Sequence, residues 1–217
     1  YYWAIEDAGN GSYRIVNAVS GCALGANASG KLVTVSRGDS RELSVAFTPS
    51  GFKCLRSEQD AEAKAHVSDL ADGEYLVSLS KNYSFVLDVT GGSKGNSANI
   101  QLYRSNMSNA QRWVVSHDDK GYVTFTNVGS HKVIDVAGGN ASAGTNIAQY
   151  ASNGTYAQKW IAAKQPDGTY LIESALRPGL YLGSRGSGAS NGVNVELSSN
   201  EGASRFALLG TSPSVAK

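Results

Sequence analysis

The chain is poor in charge, proline, cysteine and histidine. Charged residues are 17% of its 217, and 19 Lys and Arg against 18 Asp and Glu leave a net charge of +1. A nucleic-acid surface needs clustered positive charge, and with no basic block present no nucleic-acid partner is expected. No apolar run approaches the ~18 residues of a membrane helix, so no membrane insertion is expected. His66, His117 and His131 fall in turns or connecting stretches without metal-ligand spacing. No phosphate loop or dinucleotide fingerprint occurs, and neither a metal nor a cofactor is predicted. Two cysteines, Cys22 and Cys54, set no disulfide framework; they can pair in an oxidising compartment or stand as separate thiols. The chain opens on Tyr1-Tyr2-Trp3, which reads as a processed or excised piece of something longer.

Glycine is plentiful, at 25 residues against 4 prolines, and Asn and Ser are frequent. That mixture suits many short strands joined by polar turns. Six Asn-x-Ser/Thr triplets, beginning at Asn10, Asn27, Asn82, Asn106, Asn140 and Asn153, are what chance yields in such a composition, and bear on glycosylation only in a eukaryotic secreted protein.

The strongest signal is a repeat. Residues 120–166 carry Gly121-Tyr122, Ile134-Asp135-Val136, Gly138-Gly139, Asn146-Ile147-Ala148-Gln149-Tyr150 and Gln158-Lys159-Trp160 in order. The preceding stretch carries Gly73-Glu74-Tyr75, Leu87-Asp88-Val89, Gly91-Gly92, Asn99-Ile100-Gln101-Leu102-Tyr103 and Gln111-Arg112-Trp113. Tyr75 to Tyr122 is 47 residues, Tyr122 to Tyr170 is 48, and Trp113 to Trp160 is again 47. A fixed period of this size means a repeat architecture. The third copy has lost its marks: Leu182-Gly183 replaces Leu-Asp, Ser198 the Tyr, and Ser204-Arg205-Phe206 the Gln-x-Trp.

Residues 1–54 hold one further repeat and the closing strand of another. Trp3 precedes Tyr13 as Trp160 precedes Tyr170, Cys22-Ala23-Leu24-Gly25 takes the place of the Asp strand, and Val45-Ala46-Phe47 that of Gln-x-Trp. Tyr13 to Tyr75 is 62 residues, some 15 beyond the period. The excess is 55–71, where Ser57-Glu58-Gln59-Asp60-Ala61-Glu62-Ala63-Lys64-Ala65 favours helix with Ser57 as N-cap. Its apolar residues are mostly alanine and bury little. The predicted division is therefore a partial repeat unit over 1–54, a linker over 55–71, three complete repeats over 72–210 and a loose polar tail over 211–217.

Side chains alternate across a strand. If Leu87, Val89, Ile100 and Leu102 build the core, then Asp88, Gln101 and Tyr103 point outward together, as do Asp135 and Tyr150. An acceptor, an amide and an aromatic on one surface form a hydrogen-bonding and stacking set. The same aspartates precede glycine turns, where Asp also caps backbone amides, and the tyrosines can be ordinary surface aromatics, so a structural role stays open.

The period, the three-fold count and the two Gln-x-Trp motifs resemble the ricin-type β-trefoil lectins, clearly over 72–210 and more faintly over 3–47. Within that family the likeness is to bacterial modules with LDV-GG-S and SNG-AQKW signatures, often appended to cell-wall or glycan-processing enzymes. The resemblance implies an all-β fold, a β-trefoil of three ~47-residue repeats preceded by about a third of an upstream trefoil. It implies that Trp113 and Trp160 are core, with Phe206 and Phe47 in the same place. It implies shallow sugar sites, one possible per repeat, built from a strand Asp, a stacking aromatic and an Asn before the Gln. Carried over, one site comprises Asp88, Gln101, Tyr103 and Gln111, with Ala110 where the Asn belongs and Asn109 adjacent. The other comprises Asp135, Tyr150 and Gln158, with Ala148 in the Gln101 position and Ala157 in the Asn position. The repeats with Gly183 and Ser198, and with Gly25 and Ser36, are expected to bind nothing.

One catalytic-looking string, Gly91-Gly92-Ser93-Lys94-Gly95, matches a nucleophile elbow, but that motif needs a following helix and a polar loop follows here. Asp118-Asp119 reads as a solvated turn. The expected function is therefore non-catalytic carbohydrate binding, to a glycan or cell-wall polysaccharide, by a module of a longer secreted or cell-surface bacterial protein with other linked domains. The alternative is a structural or protein-interaction trefoil without sugar binding.

Overall fold

The structure, a computed structural model, describes residues 3–9, 12–17, 20, 22–26, 32–36, 40, 55–199 and 205–211. The chain divides into two units, residues 1–54 and 55–217.

In the first unit, β1 (Trp3–Gly9), β2 (Ser12–Asn17), β3 (Ala23–Ala26) and β4 (Leu32–Val35) form an antiparallel sheet in sequence order. Val16, Ala23 and Val35 are buried in it. Trp3 pairs with Asn17, and Val16 with Ala23. Phe47 and Cys54 lie outside the described residues, and with them the expectations of a Phe47 core position and a Cys22–Cys54 pair.

The second unit carries three four-strand repeats. The first is β5 (Gly73–Leu79), β6 (Phe85–Val89), β7 (Ala98–Arg104) and β8 (Arg112–His117). The second is β9 (Val123–Asn127), β10 (Val133–Val136), β11 (Ile147–Tyr150) and β12 (Trp160–Lys164). The third is β13 (Tyr170–Ser174), β14 (Tyr181–Ser184), β15 (Val193–Ser198) and β16 (Arg205–Gly210). Strands β6, β10 and β13 are buried throughout, whereas others show a period-two pattern. In β9, Val123 and Phe125 are buried while Thr124 and Thr126 are half-buried, as a one-sided strand requires.

Outer strands of neighbouring repeats pair, β8 with β9, β12 with β13 and β16 with β5. Within each repeat the outer strands also pair or meet, and the six close a ring that leaves no edge. The inner hairpins β6–β7, β10–β11 and β14–β15 gather around β7, which pairs with both β11 and β15. A six-strand barrel capped by three hairpins is a β-trefoil. Its core holds Trp113, Trp160 and Phe206, each fully buried, together with Leu87, Ile100, Ile134, Ile147, Leu182 and Val195. The first unit uses the same succession of pairings as β8 to β11: Trp113 pairs with Asn127 and Thr126 with Val133.

Residues 55–71 differ from the expected linker. Helix α1 (Leu55–Ala65) begins two residues before Ser57, so Ser57 sits in its first turn, and a 3-10 turn spans Val67–Asp69. The segment is docked on the barrel rather than loose. The three tyrosines that open the repeats all donate their hydroxyls to it: Tyr122 to Asp60 Oδ1 at 2.8 Å, Tyr170 to the Asp69 carbonyl at 2.7 Å and Tyr75 to the Ala71 carbonyl at 2.9 Å. Leu70 joins the main core, and Ala63 packs with Tyr122, Ile161 and Ala175. At Gly121, where φ is +89°, a Cβ would meet the Ala63 carbonyl oxygen at 2.8 Å, so only glycine lets the helix approach. The periodic pattern sees none of this, because the anchors are one carboxylate and two main-chain carbonyls. Limited proteolysis is therefore expected to spare 55–71 and to leave a stable fragment beginning near residue 55. Rapid cutting between Leu55 and Ala71 that leaves 72–217 intact and folded would show that the docked segment opens freely.

Candidate functional site

The two aspartates stand at equivalent places. Asp88 ends β6 beside Val89, and Asp135 ends β10 beside Val136, each before a glycine pair in which the first φ is near +63°. That left-handed backbone requires the glycines. The neighbouring aliphatics fill the core, so each carboxylate points away from it as alternation dictates. Neither is exposed, however: Asp88 is 6% and Asp135 8% accessible. Neither caps backbone amides; their described partners are side-chain amides.

Gln111 and Gln158 are fully buried, which removes them from any contact surface and corrects their expected role as ligand contacts. Gln111 Nε2 donates to Asp88 Oδ2 at 3.1 Å and to the Arg104 carbonyl at 3.1 Å, and its Oε1 accepts from the Asn106 amide at 2.8 Å. Gln158 repeats the set with Asp135 Oδ2 at 2.8 Å, the Ala151 carbonyl at 3.0 Å and the Asn153 amide at 2.8 Å. The glutamine of Gln-x-Trp thus braces the aspartate against the loop after the hairpin, while the Trp two residues on anchors the core. Trp113 Nε1 donates to the Leu87 carbonyl at 3.2 Å; the buried Trp160 Nε1 has no partner among the described residues.

One cross-strand neighbour separates the two sites. Gln101 stands opposite Asp88, and Ala148 opposite Asp135. Gln101 Nε2 donates to Asp88 Oδ1 at 3.0 Å, so both oxygens of that carboxylate are taken from within. Asp135 has Oδ2 occupied and no partner for Oδ1 among the described residues. Burial pushes its carboxyl above the ordinary aspartate value of 3.8, against the opposing Gln158 bond.

Asp135 lines an open concavity of about 730 Å³ with Tyr150, Asn146, Asn153, Thr155 and Tyr156 among its walls. Tyr150 is 40% exposed, on the strand that pairs with β10. Ala137, Ala148, Ala157 and Leu176 add apolar surface. Among the described residues that line it, Asp135 is the one charged side chain. The arrangement offers a carboxylate acceptor, aromatic faces and polar rim groups within a volume that falls in the roughly 300–1,000 Å³ range of small-molecule pockets. In the other repeat Tyr103 is exposed, and Asn109, also exposed, accepts from Arg112 Nη1 at 3.1 Å.

Asn153, Thr155 and Tyr156 were not among the expected site residues. A signal for the first existed: Asn106-x-Ser108 and Asn153-x-Thr155 are 47 apart, and in both the Asn Oδ1 accepts from the amide two residues on, at 3.0 Å, shaping the loop beside the Gln brace. Tyr156 has no counterpart in the first repeat and carried no such signal. In the third repeat Gly183 supplies no acceptor, and the residue opposite it, Glu196, is paired to Arg185 at 2.6 Å. Ser93, in the string that resembles a nucleophile elbow, accepts from the Gly95 amide, and strand β7 follows rather than a helix. Asp118 accepts from the Lys120 and Tyr122 amides and from Lys159, so it caps its turn instead of standing free in solvent.

A family model described as ricin-type beta-trefoil lectin domain-like matches residues 109–198, which include the residues lining the Asp135 concavity except Ser97. A search of curated proteins finds no match. Among solved structures, a designed 3-fold symmetric protein, ThreeFoil, is similar at 26% identity and a TM-score of 0.61, over 64% of this chain and 99% of its own. A ricin B-like lectin of Macrolepiota procera, solved with lactose, is similar at 16% identity and 0.55, over 65% and 98%. An exo-beta-1,3-galactanase from Clostridium thermocellum is similar at 21% and 0.61, over 97% of this chain, which spans 45% of that enzyme's chain. The latter two likenesses lie below 25% identity and speak to the β-trefoil fold alone.

Proposed function

We propose that the second unit is a non-catalytic carbohydrate-binding module whose ligand sits in the Asp135 concavity. The observation that carries this reading is that Asp135, whose Oδ1 has no partner among the described residues, lines an open hollow together with the exposed Tyr150 and with no other charged side chain among the described lining residues. A carboxylate accepts from sugar hydroxyls, and a tyrosine face covers the apolar side of a pyranose. The ricin-type family match over the same residues supports it. Asp88, each of whose oxygens already accepts from a glutamine, favours a structural role for the first repeat, so one site rather than two is proposed. One shallow site gives roughly millimolar affinity, about −4 kcal/mol, and presentation beside other modules of a longer secreted or surface protein would raise it through effective concentration.

The ligand class is neutral. With Asp135 ionised, an anionic group brought within ~5 Å at an effective dielectric near 20 would cost about 3 kcal/mol. A glycan array probed with the intact chain tests the reading. Binding of neutral galactosides or glucosides and rejection of their sialylated forms is expected; an array without neutral hits, or one dominated by sialylated glycans, would overturn it.

Binding should also depend on pH. Burial raises the Asp135 carboxyl, so the acceptor is lost on acidification earlier than for an ordinary aspartate. Affinity should be full near neutrality and fall as pH drops through that raised value. The stability sign is opposite: a group that holds its proton more tightly when folded contributes stability at low pH, lost as pH rises through the folded value. Titration of lactose affinity between about pH 3 and 7 measures the first effect; an affinity that does not fall on acidification would show that Asp135 is not the acceptor.

A further inference from the structure

We infer that Tyr156 is a ligand-contacting wall of the Asp135 concavity and that helix α1 sets its position through Tyr122, making the docked 55–71 segment part of the binding site. The inference rests on the carbohydrate reading for its ligand, and on separate contacts for its mechanism. Tyr156 lines the hollow. Its ring stands edge-on to Tyr122, with centroids 5.8 Å apart and planes at 79°. Lys159 Nζ lies 5.4 Å from the Tyr156 centroid and 5.8 Å from that of Tyr122, while its charge is met by Asp118 at 2.7 Å. Tyr122 is fully buried, and its hydroxyl ends on Asp60 of α1, which also holds Lys120 at 3.0 Å. Tyr156 packs on the small cluster that Ala63 of α1 completes. A continuous path of packed rings and charge-assisted bonds therefore runs from the helix to the hollow.

The path belongs to the second repeat. The residue two before the bracing glutamine is Tyr156 there and the exposed Asn109 in the first repeat, and the tyrosine equivalent to Tyr122 is Tyr75, whose hydroxyl reaches the Ala71 main-chain carbonyl rather than a helix carboxylate. The repeat whose aspartate keeps an unpaired oxygen is thus also the one that carries a second aromatic wall. Tyr150 on β11 and Tyr156 on the 3-10 turn Tyr156–Gln158 supply ring surface from two elements.

Variants of the full chain test this with lactose as the probe. Tyr156→Ala should weaken affinity about threefold to tenfold. Asp60→Ala should weaken it about threefold, but by nothing further when Tyr156→Ala is already present. Asp60→Asn, which keeps an acceptor for the Tyr122 hydroxyl, should restore most of the loss, and Tyr122→Phe, which keeps the ring, should reproduce it. A purely structural Asp60 would lower the melting temperature in both backgrounds and leave affinity untouched. Fluorotyrosine labelling gives a readout that needs no sugar. The Tyr156 fluorine resonance, assigned by its loss in Tyr156→Phe, should shift in Asp60→Ala and return in Asp60→Asn. An unmoved resonance, or additive losses in the double variant, overturns the inference. If lactose fails to bind the wild-type chain, the resonance alone decides the positioning, and the choice of ligand falls separately.

Discussion

Replacing Trp113 by alanine is expected to remove about 3–5 kcal/mol of folding stability, a large share of the ~5–15 kcal/mol that holds a typical domain. The side chain is fully buried, and its strand partners are Tyr75 on one side and Asn127 on the other, so it sits where the first repeat meets the second. A loss of this size in a domain of this length shifts the melting temperature by roughly 6–20 °C. The phenylalanine variants separate packing from hydrogen bonding. Trp113→Phe forfeits the bond to the Leu87 carbonyl, whereas Trp160→Phe forfeits none among the described residues. Chemical denaturation should find Trp113→Phe the costlier by about 1 kcal/mol. Equal costs would mean that the indole bond contributes nothing net.

Substituting the two aspartates should have opposite consequences, although the sequence presents them alike as outward-facing candidates for ligand contact. Asp135→Asn keeps the shape and an oxygen for Gln158 but removes the charge from the hollow. On the proposed carbohydrate reading, with lactose as the probe, affinity should fall about tenfold to a hundredfold, as expected for losing hydrogen bonds to a charged acceptor, with the unfolding midpoint unchanged or raised. Asp88→Ala strips the acceptor from Gln101 and from the buried Gln111, which retains only the Arg104 carbonyl for its amide. That should cost about 1–3 kcal/mol of stability and leave lactose affinity near wild type. Calorimetric titration and denaturation of both variants decide the matter. If Asp88→Ala abolishes binding in a folded protein, the site belongs to the first repeat and the assignment is wrong.

The barrel was legible in the sequence because its signals are local and repeated. A 47-residue period, an aliphatic-Asp-aliphatic strand and a Gln-x-Trp each report which face of a short strand is buried, and burial of a face is written into residues two apart. The family resemblance, rather than the alternation, implied that Trp113 and Trp160 are core, where they lie. The pattern failed at 55–71, where an alanine-rich helix was read as a linker. Its hold on the barrel comes from the Asp60 carboxylate, the Asp69 and Ala71 carbonyls and the Gly121 approach, none of which registers as hydrophobic pattern. The candidate site shows the same limit. The repeat put Asp88 and Asp135 at equivalent positions and the family resemblance put Gln111 and Gln158 beside them, but neither tells which carboxylate keeps an oxygen without a protein partner. That is decided by register across a hairpin, Gln101 against one and Ala148 against the other, and by Gln111 and Gln158 turning inward as braces. A strand pattern determines the direction in which a side chain leaves the sheet. Whether its polar atoms are then left for a ligand depends on every group that folding brings within hydrogen-bond reach, and those groups come from strands and loops scattered along the chain.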